Sequence, residues 1–293
     1  MLKAAIKPLI PVRARSELFR LRRLGVFKYI EYTRLERAER RKPTPLPGKR
    51  FDIGAQSPII LHASTIPTVR SHWIDYGHAI KEFKAFKRLA PDHQVLFDVG
   101  AAEGIFSAAF CALTGRTAWA FEPSPVMFQR LSDLRALNPD LRILSFNTAL
   151  GETVGRLRAR EYTDGQFSAV GVQDRDEHDM PVATLDAVVE AHGTAPDLLK
   201  IDVEGMELAV LAGARETLKT SVKTMIIEVH YDALAERGET VEDLERTLAE
   251  TGFGVWSLDF ERITNLRTYV ASEPEMIPGY TIVIARRHDH LSR

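Results

Sequence analysis

The stretch Val95-Leu96-Phe97-Asp98-Val99-Gly100-Ala101-Ala102-Glu103-Gly104 decides the fold of this chain. A short apolar run ends in an acid, two glycines then bracket a tight turn, and Ile105 to Ala112 continue with helical character. This order predicts a strand, a glycine-rich loop and a helix, which together open a nucleotide-binding α/β unit. Glycine suits positions 100 and 104 because it tolerates positive φ and lets a ligand approach the backbone closely.

The Asp-x-Gly-x-x-x-Gly spacing separates this loop from two phosphate-binding loops. It lacks the G-x-G-x-x-G order of the dinucleotide fingerprint, and no Lys-Ser/Thr pair follows Gly104 as it does in a P-loop. The spacing indicates instead a loop that holds a nucleoside with an amino-acid tail, which suggests S-adenosylmethionine. A plain strand-to-helix turn is the alternative.

A second apolar strand, Trp119-Ala120-Phe121-Glu122-Pro123, ends in an acid about twenty residues after the first loop. An acid at the end of the second strand can accept both ribose hydroxyls of a bound nucleoside. Pro123 ends the strand, and Ser124 can cap a helix that begins at Pro125. The alternative is a solvated acid at a strand end.

Strand patterns alternate with helical patterns along the rest of the chain. Further strands are predicted at 142–146, 198–202 and 225–229, and further helices at 125–136, 184–191, 206–218 and 241–251. Short strands are predicted at 155–162 and 168–172 around a turn at 163–165, and a final hairpin from 253–259 and 280–285. This alternation predicts a mostly parallel sheet with helices on both faces. Ligands on such sheets bind outside the carboxyl ends of the strands, where Asp98, Glu122, Asp202 and Glu228 fall.

Composition predicts an ordinary globular protein with one large α/β domain and an extension. The chain has 293 residues, 45% of them hydrophobic and 27% charged,. Cys111 is the single cysteine, which excludes an intramolecular disulfide and a zinc site built on several thiolates, and a packing role inside its helix is expected,. No apolar run is long enough for a membrane span and no signal peptide is visible, so a cytoplasmic location is predicted.

Residues 1–50 form a basic arm, with 15 Lys and Arg against 4 Asp and Glu. A helix is predicted over 18–41, followed by a proline-rich linker. Such an arm fits docking on the acidic body of the protein, a peripheral membrane or partner contact, or nucleic acid. These alternatives stay open.

The run Lys200-Ile201-Asp202-Val203-Glu204-Gly205 resembles a motif of the FkbM family of S-adenosylmethionine-dependent methyltransferases. The resemblance extends over about 95–259 and rests on further pieces in the right order: Asp98-Val99-Gly100-Ala101 with Gly104, Phe121-Glu122-Pro123, Asn147 with Ala149-Leu150-Gly151, Thr184-Leu185-Asp186, and Ile227-Glu228. It implies a seven-stranded Rossmann-like α/β fold. It also implies methyl transfer, usually to oxygen, on sugars or natural products.

With this resemblance, the chain can be divided into four segments. Residues 1–50 are the basic extension, 51–92 a strand and helix that cover the cofactor cleft, 93–287 the methyltransferase domain, and 288–293 a tail, whose His288, Asp289 and His290 are not expected to bind metal. The covering helix is predicted at 76–89. His78 and Glu82 are placed on its more polar face, as surface residues or as contacts to substrate or cofactor.

The cofactor residues are expected to surround both loops. They are Gly100, Ala101, Ala102 and Gly104 at the methionine end, Glu122 at the ribose, Asn147 and Ala149 near the adenine by the resemblance, together with Asp98, Pro123 and Asp202. The chain departs from the family at Ala102 and Glu103, where the family usually has Asn and a neutral residue. The departure removes a polar contact and adds a negative charge near the methionine moiety.

A hydroxyl acceptor needs a base or a metal because it is a poor nucleophile until it is deprotonated. The candidates are Asp202, Glu204, Glu228 and His230, with His230 and Glu228 two apart on one strand face. Asp202, Glu228 and His230 can alternatively ligate one divalent cation. A metal-free reaction is preferred, a structural role is open, and Glu207 is expected to cap the helix after Gly205.

The leading hypothesis is an O-methyltransferase acting on a small-molecule or glycan acceptor. The alternative is a non-catalytic cofactor-binding or partner-interaction module. Nucleic-acid methylation is disfavoured because no Asn/Asp-Pro-Pro-Tyr/Phe loop follows the strand that ends at Asp202, and the added acids there would repel phosphate. Oligomeric state is not predicted.

Overall fold

A computed structural model describes residues 48–55, 58–62, 65, 77–161, 167–168, 177–272 and 279–287. The predicted basic arm and its helix at 18–41, the turn at 163–165 and the tail at 288–293 lie outside these ranges, apart from residues 48–50 at the end of the arm.

The central sheet has the predicted mostly parallel arrangement. Its strands are β3 (Val95–Val99), β4 (Thr117–Phe121), β5 (Ile143–Phe146), β10 (Leu198–Ile201), β11 (Thr224–Val229), β12 (Phe253–Trp256), β13 (Arg262–Ile263) and β14 (Thr281–Arg287), in the order β13-β12-β14-β11-β10-β3-β4-β5. The antiparallel pairings lie at one side of this sheet, where β14 pairs antiparallel with both β11 and β12, and β13 pairs antiparallel with β12. The seven strands of the expected Rossmann-like fold are therefore present, with the two-residue β13 added at one edge.

Helices cover both faces of this sheet, as predicted. They are α1 (Gly77–Leu89), α2 (Ile105–Thr114), α3 (Pro125–Leu137), α4 (Leu185–His192), α5 (Glu207–Ala212), α6 (Arg215–Thr220), α7 (Tyr231–Glu236), α8 (Val241–Glu250) and α9 (Leu266–Ser272), with a 3₁₀ turn at Ala90–Asp92. Short polar side chains start several of them. The Ser124 hydroxyl accepts the Met127 N–H at 3.2 Å, which confirms the predicted cap of α3,.

Smaller sheets complete the described part of the chain. The insert forms β6 (Ala149–Leu150), β7 (Gly155–Glu161), β8 (Phe167–Ser168) and β9 (Glu177–Ala183), paired in the order β6-β9-β7-β8, while β1 (Lys49–Phe51) and β2 (Ile59–Leu61) pair with each other. Sequence patterns missed β9, β6 and β1 because short or polar strands carry little periodic signal.

Alternate residues of each central strand enter two separate cores. Leu96 of β3 packs in the core beneath α1, α2 and α3, whereas Phe97 packs in the core beneath the later helices. Because side chains alternate along a strand, Asp98 and Lys200 lie on the face covered by α1, α2 and α3. Apolar residues on both faces explain the continuous hydrophobic runs of the parallel strands.

The prediction of one helix over 206–218 is wrong in one respect, because this segment forms two helices, α5 and α6. The break lies at Gly213, where an added Cβ would stand 2.0 Å from the Gly151 carbonyl oxygen. The Asp186 carboxylate then accepts the N–H groups of Glu216 and Thr217 at 3.0 and 2.8 Å and so caps α6,. A tertiary contact between loops therefore ends a helix that the local sequence would continue.

The helices also bear on two expectations from composition, the absence of a membrane span and the packing role of Cys111. Within the described ranges, no helix combines the length and apolar character that a membrane crossing requires. Cys111 is buried in α2, and burial raises the pKa of its thiol to about 12, which fits the predicted packing role,.

Candidate functional site

The glycine loop after β3 has the predicted conformation. Gly100 and Gly104 adopt φ of 78° and 81°, and the N–H groups of Gly100 and Ala101 both donate to the Phe121 carbonyl at 3.0 Å. A Cβ at position 100 would stand 1.8 Å from the Asp202 carbonyl oxygen. Glycine is therefore needed at position 100 both for its backbone angle and for the close approach of the chain after β10.

Glu122 joins the end of β4 to this loop. Its carboxylate accepts the Ala102 N–H and the Ser124 N–H, both at 2.7 Å. Burial raises its pKa to about 7, against the lowering effect of these two hydrogen bonds,. The predicted ribose acid thus lies beside the loop, but part of its hydrogen-bonding capacity already holds the backbone.

The residues expected near the adenine follow β5. The Asn147 amide donates to the carbonyl oxygens of Glu122 and Pro123 at 2.8 and 3.1 Å. Ala149 begins β6 in the second sheet. The structure therefore brings Asn147 to the end of β4 and gives its amide a part in holding that end of the strand.

Asp98 is buried below the glycine loop. Its Oδ2 accepts the Ser107 N–H at 3.1 Å and the Ser107 hydroxyl at 2.7 Å, which ties β3 to the first turn of α2. Burial raises the pKa of Asp98. Among the described residues, no hydrogen bond reaches its Oδ1.

The charge that Glu103 adds to the loop is compensated. Its buried carboxylate forms an ion pair with Arg130 of α3. Ala102 adopts φ of 47°, an unfavourable angle for a residue with a Cβ,. The departure from the family at positions 102 and 103 therefore leaves a strained turn and a paired acid, rather than an uncompensated charge.

The predicted catalytic residues converge on His230. Its Nε2 lies 3.4 Å from Glu204 Oε2, 3.5 Å from Glu228 Oε1 and 3.9 Å from Asp202 Oδ1. The reason differs from the expected strand alternation, because β11 ends at Val229 and His230 stands at the start of α7.

The sequence predicted only a capping role for Glu207, whereas the structure also places its carboxylate beside His230. Its Oε1 accepts the Gly205 N–H at 3.0 Å, as a helix-start acid should, but it also lies 2.7 Å from His230 Nδ1. A carboxylate on Nδ1 fixes the imidazole tautomer and leaves Nε2 directed at the other three acids. An acid two positions after Gly205 was visible in the sequence and predicted the cap. Its contact with His230 could be seen only in the fold.

The carboxylates around His230 favour the protonated form of its imidazole. Burial alone would lower the pKa of His230, but the carboxylates, Glu204 first, raise it well above its usual value. Burial raises the pKa of Glu204 to about 7, although 36% of its side chain is exposed, while His230 opposes that shift. Burial and the neighbouring Asp202 raise the pKa of Glu228. The acids therefore hold the imidazole in its protonated form.

The predicted metal alternative also has a compact ligand set. One ligand atom from each of Asp202, Glu228 and His230 lies within 4.8 Å of the other two. Oxygen and imidazole ligands of this kind suit magnesium or manganese.

Lys200 and Glu82 form a charged pair whose contact the sequence patterns did not predict. The buried Lys200 Nζ lies 3.1 Å from Asp202 Oδ2, 3.8 Å from Glu82 Oε1, and 4.7 Å from the ring centroid of Phe106. Burial alone would lower the pKa of Lys200, but Asp202 and Glu82 raise it above the ordinary value. A lysine inside an apolar strand was a usable signal, because a buried ammonium needs carboxylate partners.

Of the two alternatives for Glu82, the surface position is wrong, and so is its placement on the more polar face of α1. Glu82 is 5% exposed, and burial raises its pKa to about 8. Its spacing of four and seven residues from Phe86 and Leu89 places it on the buried face of α1,. The side chain of His78 lies outside the described part of the structure.

This strand order, with a glycine turn after β3 and acids after β4 and β10, defines a class: the nucleotide-binding α/β proteins with Rossmann-like methyltransferase topology. A model of the Methyltransferase FkbM domain matches residues 98–255, more than half of the chain. The chain belongs to the FkbM methyltransferase family, and the predicted family is confirmed.

One curated relative is the hexuronic acid methyltransferase AglP of Haloferax volcanii. It is 30% identical over 165 residues, which make up 55% of this chain and 64% of that protein. The match therefore spans less than two thirds of the relative.

Solved methyltransferase structures are more distant in sequence. A methyltransferase FkbM from Methylobacillus flagellatus KT has 16% identity and a TM-score of 0.42, over 91% of this chain and 62% of that one. The magnesium protoporphyrin IX methyltransferase of Synechocystis PCC 6803 has 10% identity and a TM-score of 0.41, over 77% and 83%. The fold assignment rests on the strand order of the sheet.

Proposed function

We propose that this protein transfers a methyl group from S-adenosylmethionine to a hydroxyl group of a sugar or glycan. The observation that carries the proposal is the His230 imidazole, held through Nδ1 by Glu207, with Nε2 beside the carboxylates that follow β10. A base at this end of the sheet lies where the fold binds ligands. The sugar acceptor is supported by the hexuronic acid methyltransferase among the relatives.

In the proposed reaction His230 first loses its own proton to solvent, and the free Nε2 then takes the proton of the acceptor hydroxyl. When bound, S-adenosylmethionine would supply an electrophilic methyl carbon for in-line attack by the deprotonated acceptor oxygen, with a neutral sulfide as the leaving group. Glu207 holds the ring and stabilises the imidazolium that forms. Asp202, Glu204 and Glu228 favour the protonated ring and so assist the proton transfer.

The cofactor residues follow the two loops. The backbone from Gly100 to Gly104 lines the methionine end, with Asp98 and Asp202 beneath and beside it. Glu122 and Pro123 receive the ribose, and Asn147 and Ala149 lie toward the adenine. The positive φ of the two loop glycines and the close contact at Gly100 support this assignment,.

Glu122→Ala is expected to weaken S-adenosylmethionine binding by about 1–3 kcal/mol, because ribose hydroxyls and two loop N–H groups lose their acceptor. Calorimetric titration of both proteins measures the change. The exposed Glu152→Ala is the control and should bind as wild type does. An unaltered dissociation constant for Glu122→Ala would contradict the ribose assignment.

A divalent cation on Asp202, Glu228 and His230 is the second mechanism, favoured by their compact arrangement. The base mechanism predicts unchanged turnover in excess EDTA. If EDTA abolishes turnover, and magnesium or manganese restores it, the metal mechanism replaces the base mechanism. Zinc-free buffers and a metal-independent methyltransferase serve as controls for the assay.

Product analysis tests the proposed function itself. The protein is incubated with methyl-labelled S-adenosylmethionine and separate glycosides of hexuronic acids and neutral hexoses. We expect an alkali-stable methyl ether on at least one sugar; an alkali-labile methyl ester would mean transfer to a carboxylate, which needs no base. Cofactor binding without transfer to any sugar or glycan would favour the non-catalytic module.

A further inference from the structure

We propose that Glu82 of α1 is a cofactor-binding residue whose carboxylate receives the α-ammonium group of S-adenosylmethionine. This inference rests on the proposed function, since it specifies how that cofactor is held. It adds an N-terminal helix to a site otherwise built from the loops after the parallel strands.

The Glu82 carboxylate is buried without a sufficient partner. Its side chain is 7% exposed, and no hydrogen bond reaches Oε1 among the described residues. The cation facing it is Lys200, whose Nζ is 3.8 Å away and donates to Asp202 at 3.1 Å instead. A buried carboxylate that lacks a donor is unfavourable, so a further donor is expected at this position.

Asp98 presents a second carboxylate oxygen with the same deficit. Asp98 and Lys200 are register partners on β3 and β10, so their side chains lie on the same face of the sheet,. Within the part of the chain that the structure describes, the buried Asp98 Oδ1 also accepts no hydrogen bond. Three acidic groups, Asp98, Asp202 and Glu82, therefore share the Lys200 ammonium group, and two of their buried oxygens still lack a hydrogen bond among the described residues.

The packing of α1 places this charge beside the glycine loop. The Phe106 ring, in the first turn of α2, lies 6.0 and 5.0 Å from the rings of Phe83 and Phe86. The same ring lies against Lys200. Glu82 is thus fixed next to the start of α2, at the end of the loop assigned to the methionine moiety.

The chemistry of the cofactor matches this environment. S-adenosylmethionine carries an ammonium and a sulfonium against one carboxylate, so it is a net cation. Its ammonium offers three N–H donors to acids that lack them. Charge-assisted hydrogen bonds of this kind are among the stronger ones.

Calorimetric titration of Glu82→Gln with three nucleosides tests the inference. S-adenosylmethionine and S-adenosylhomocysteine contain the ammonium group, whereas methylthioadenosine lacks the whole amino-acid tail. We expect Glu82→Gln to bind the first two about 10- to 100-fold more weakly and methylthioadenosine as wild type does. Glu250→Gln, at the exposed end of α8, is the matched control and should leave all three unchanged.

Two results would overturn the inference: equal binding of all three nucleosides by variant and wild type, or an equal loss for all three, which would indicate a structural role. Wild-type protein that binds none of them would instead refute the proposed cofactor, and this inference with it. If Glu82→Gln does not fold, Glu82→Met, which has a similar length and no charge, takes its place in the same comparison.

Discussion

His230→Gln is expected to lower kcat about 10²- to 10⁴-fold while S-adenosylmethionine still binds. The substitution removes the proton acceptor at Nε2, and Gln cannot replace it as a base. Cofactor affinity should persist because His230 is not among the residues assigned to S-adenosylmethionine. Release of S-adenosylhomocysteine in the presence of a methylated sugar acceptor measures kcat, and calorimetry measures binding.

His93→Gln is the matched control for this substitution. His93 is also buried, but it precedes β3 at the opposite end of the sheet and its Nδ1 bonds the Leu89 carbonyl at 2.9 Å. This variant should lose stability and keep its kcat. Wild-type kcat in His230→Gln, with the control behaving as expected, would exclude His230 as the base.

The pH profile gives a separate readout of the same base. The groups that face His230 are Glu207 from α5, Asp202 and Glu204 after β10, Glu228 from β11, and Tyr280 before β14. The acids favour the imidazolium, so kcat/KM should rise with pH through a pKa above 6.5, because the base must first lose its proton. Titration of the labelled imidazole by NMR should give the same pKa. A value at or below 6.5 would be inconsistent with this environment.

Gly100→Ala is expected to lower the free energy of unfolding by about 2–5 kcal/mol. Two penalties add at this position, a φ of 78° and a Cβ 1.8 Å from the Asp202 carbonyl oxygen. The chain after β10 must move to accept the methyl group, so cofactor binding should fail as well. Denaturant unfolding with linear extrapolation measures the loss.

Gly115→Ala separates the two penalties. Gly115 has φ of 67° at the end of α2, but no atom of the described residues lies within 4 Å of an added Cβ. This control should lose about 1 kcal/mol from backbone strain alone. Equal losses in the two variants would show that the close approach at Gly100 contributes nothing.

Local patterns were sufficient to predict the nucleotide-binding unit. An apolar run, a glycine pair and an amphipathic continuation specify strand, turn and helix within about twenty residues. The cap at Ser124 was predicted for the same reason, since capping is a contact between near neighbours in the chain,. The break at Gly213 was not, because it depends on segments remote in the chain: the Gly151 carbonyl leaves no room for a Cβ at position 213, and the Asp186 carboxylate caps α6.

What the sequence alone determined is therefore the order of strands and helices, the glycine turn and the acids at strand ends, which depend on backbone preference and hydrophobic periodicity. Only the tertiary structure decided how acids on the helices are paired with groups on or just after the strands: Glu207 with His230, 23 positions away, and Glu82 beside Lys200. Side-chain charge acts through burial and distance, and both are set by segments that are remote in the chain.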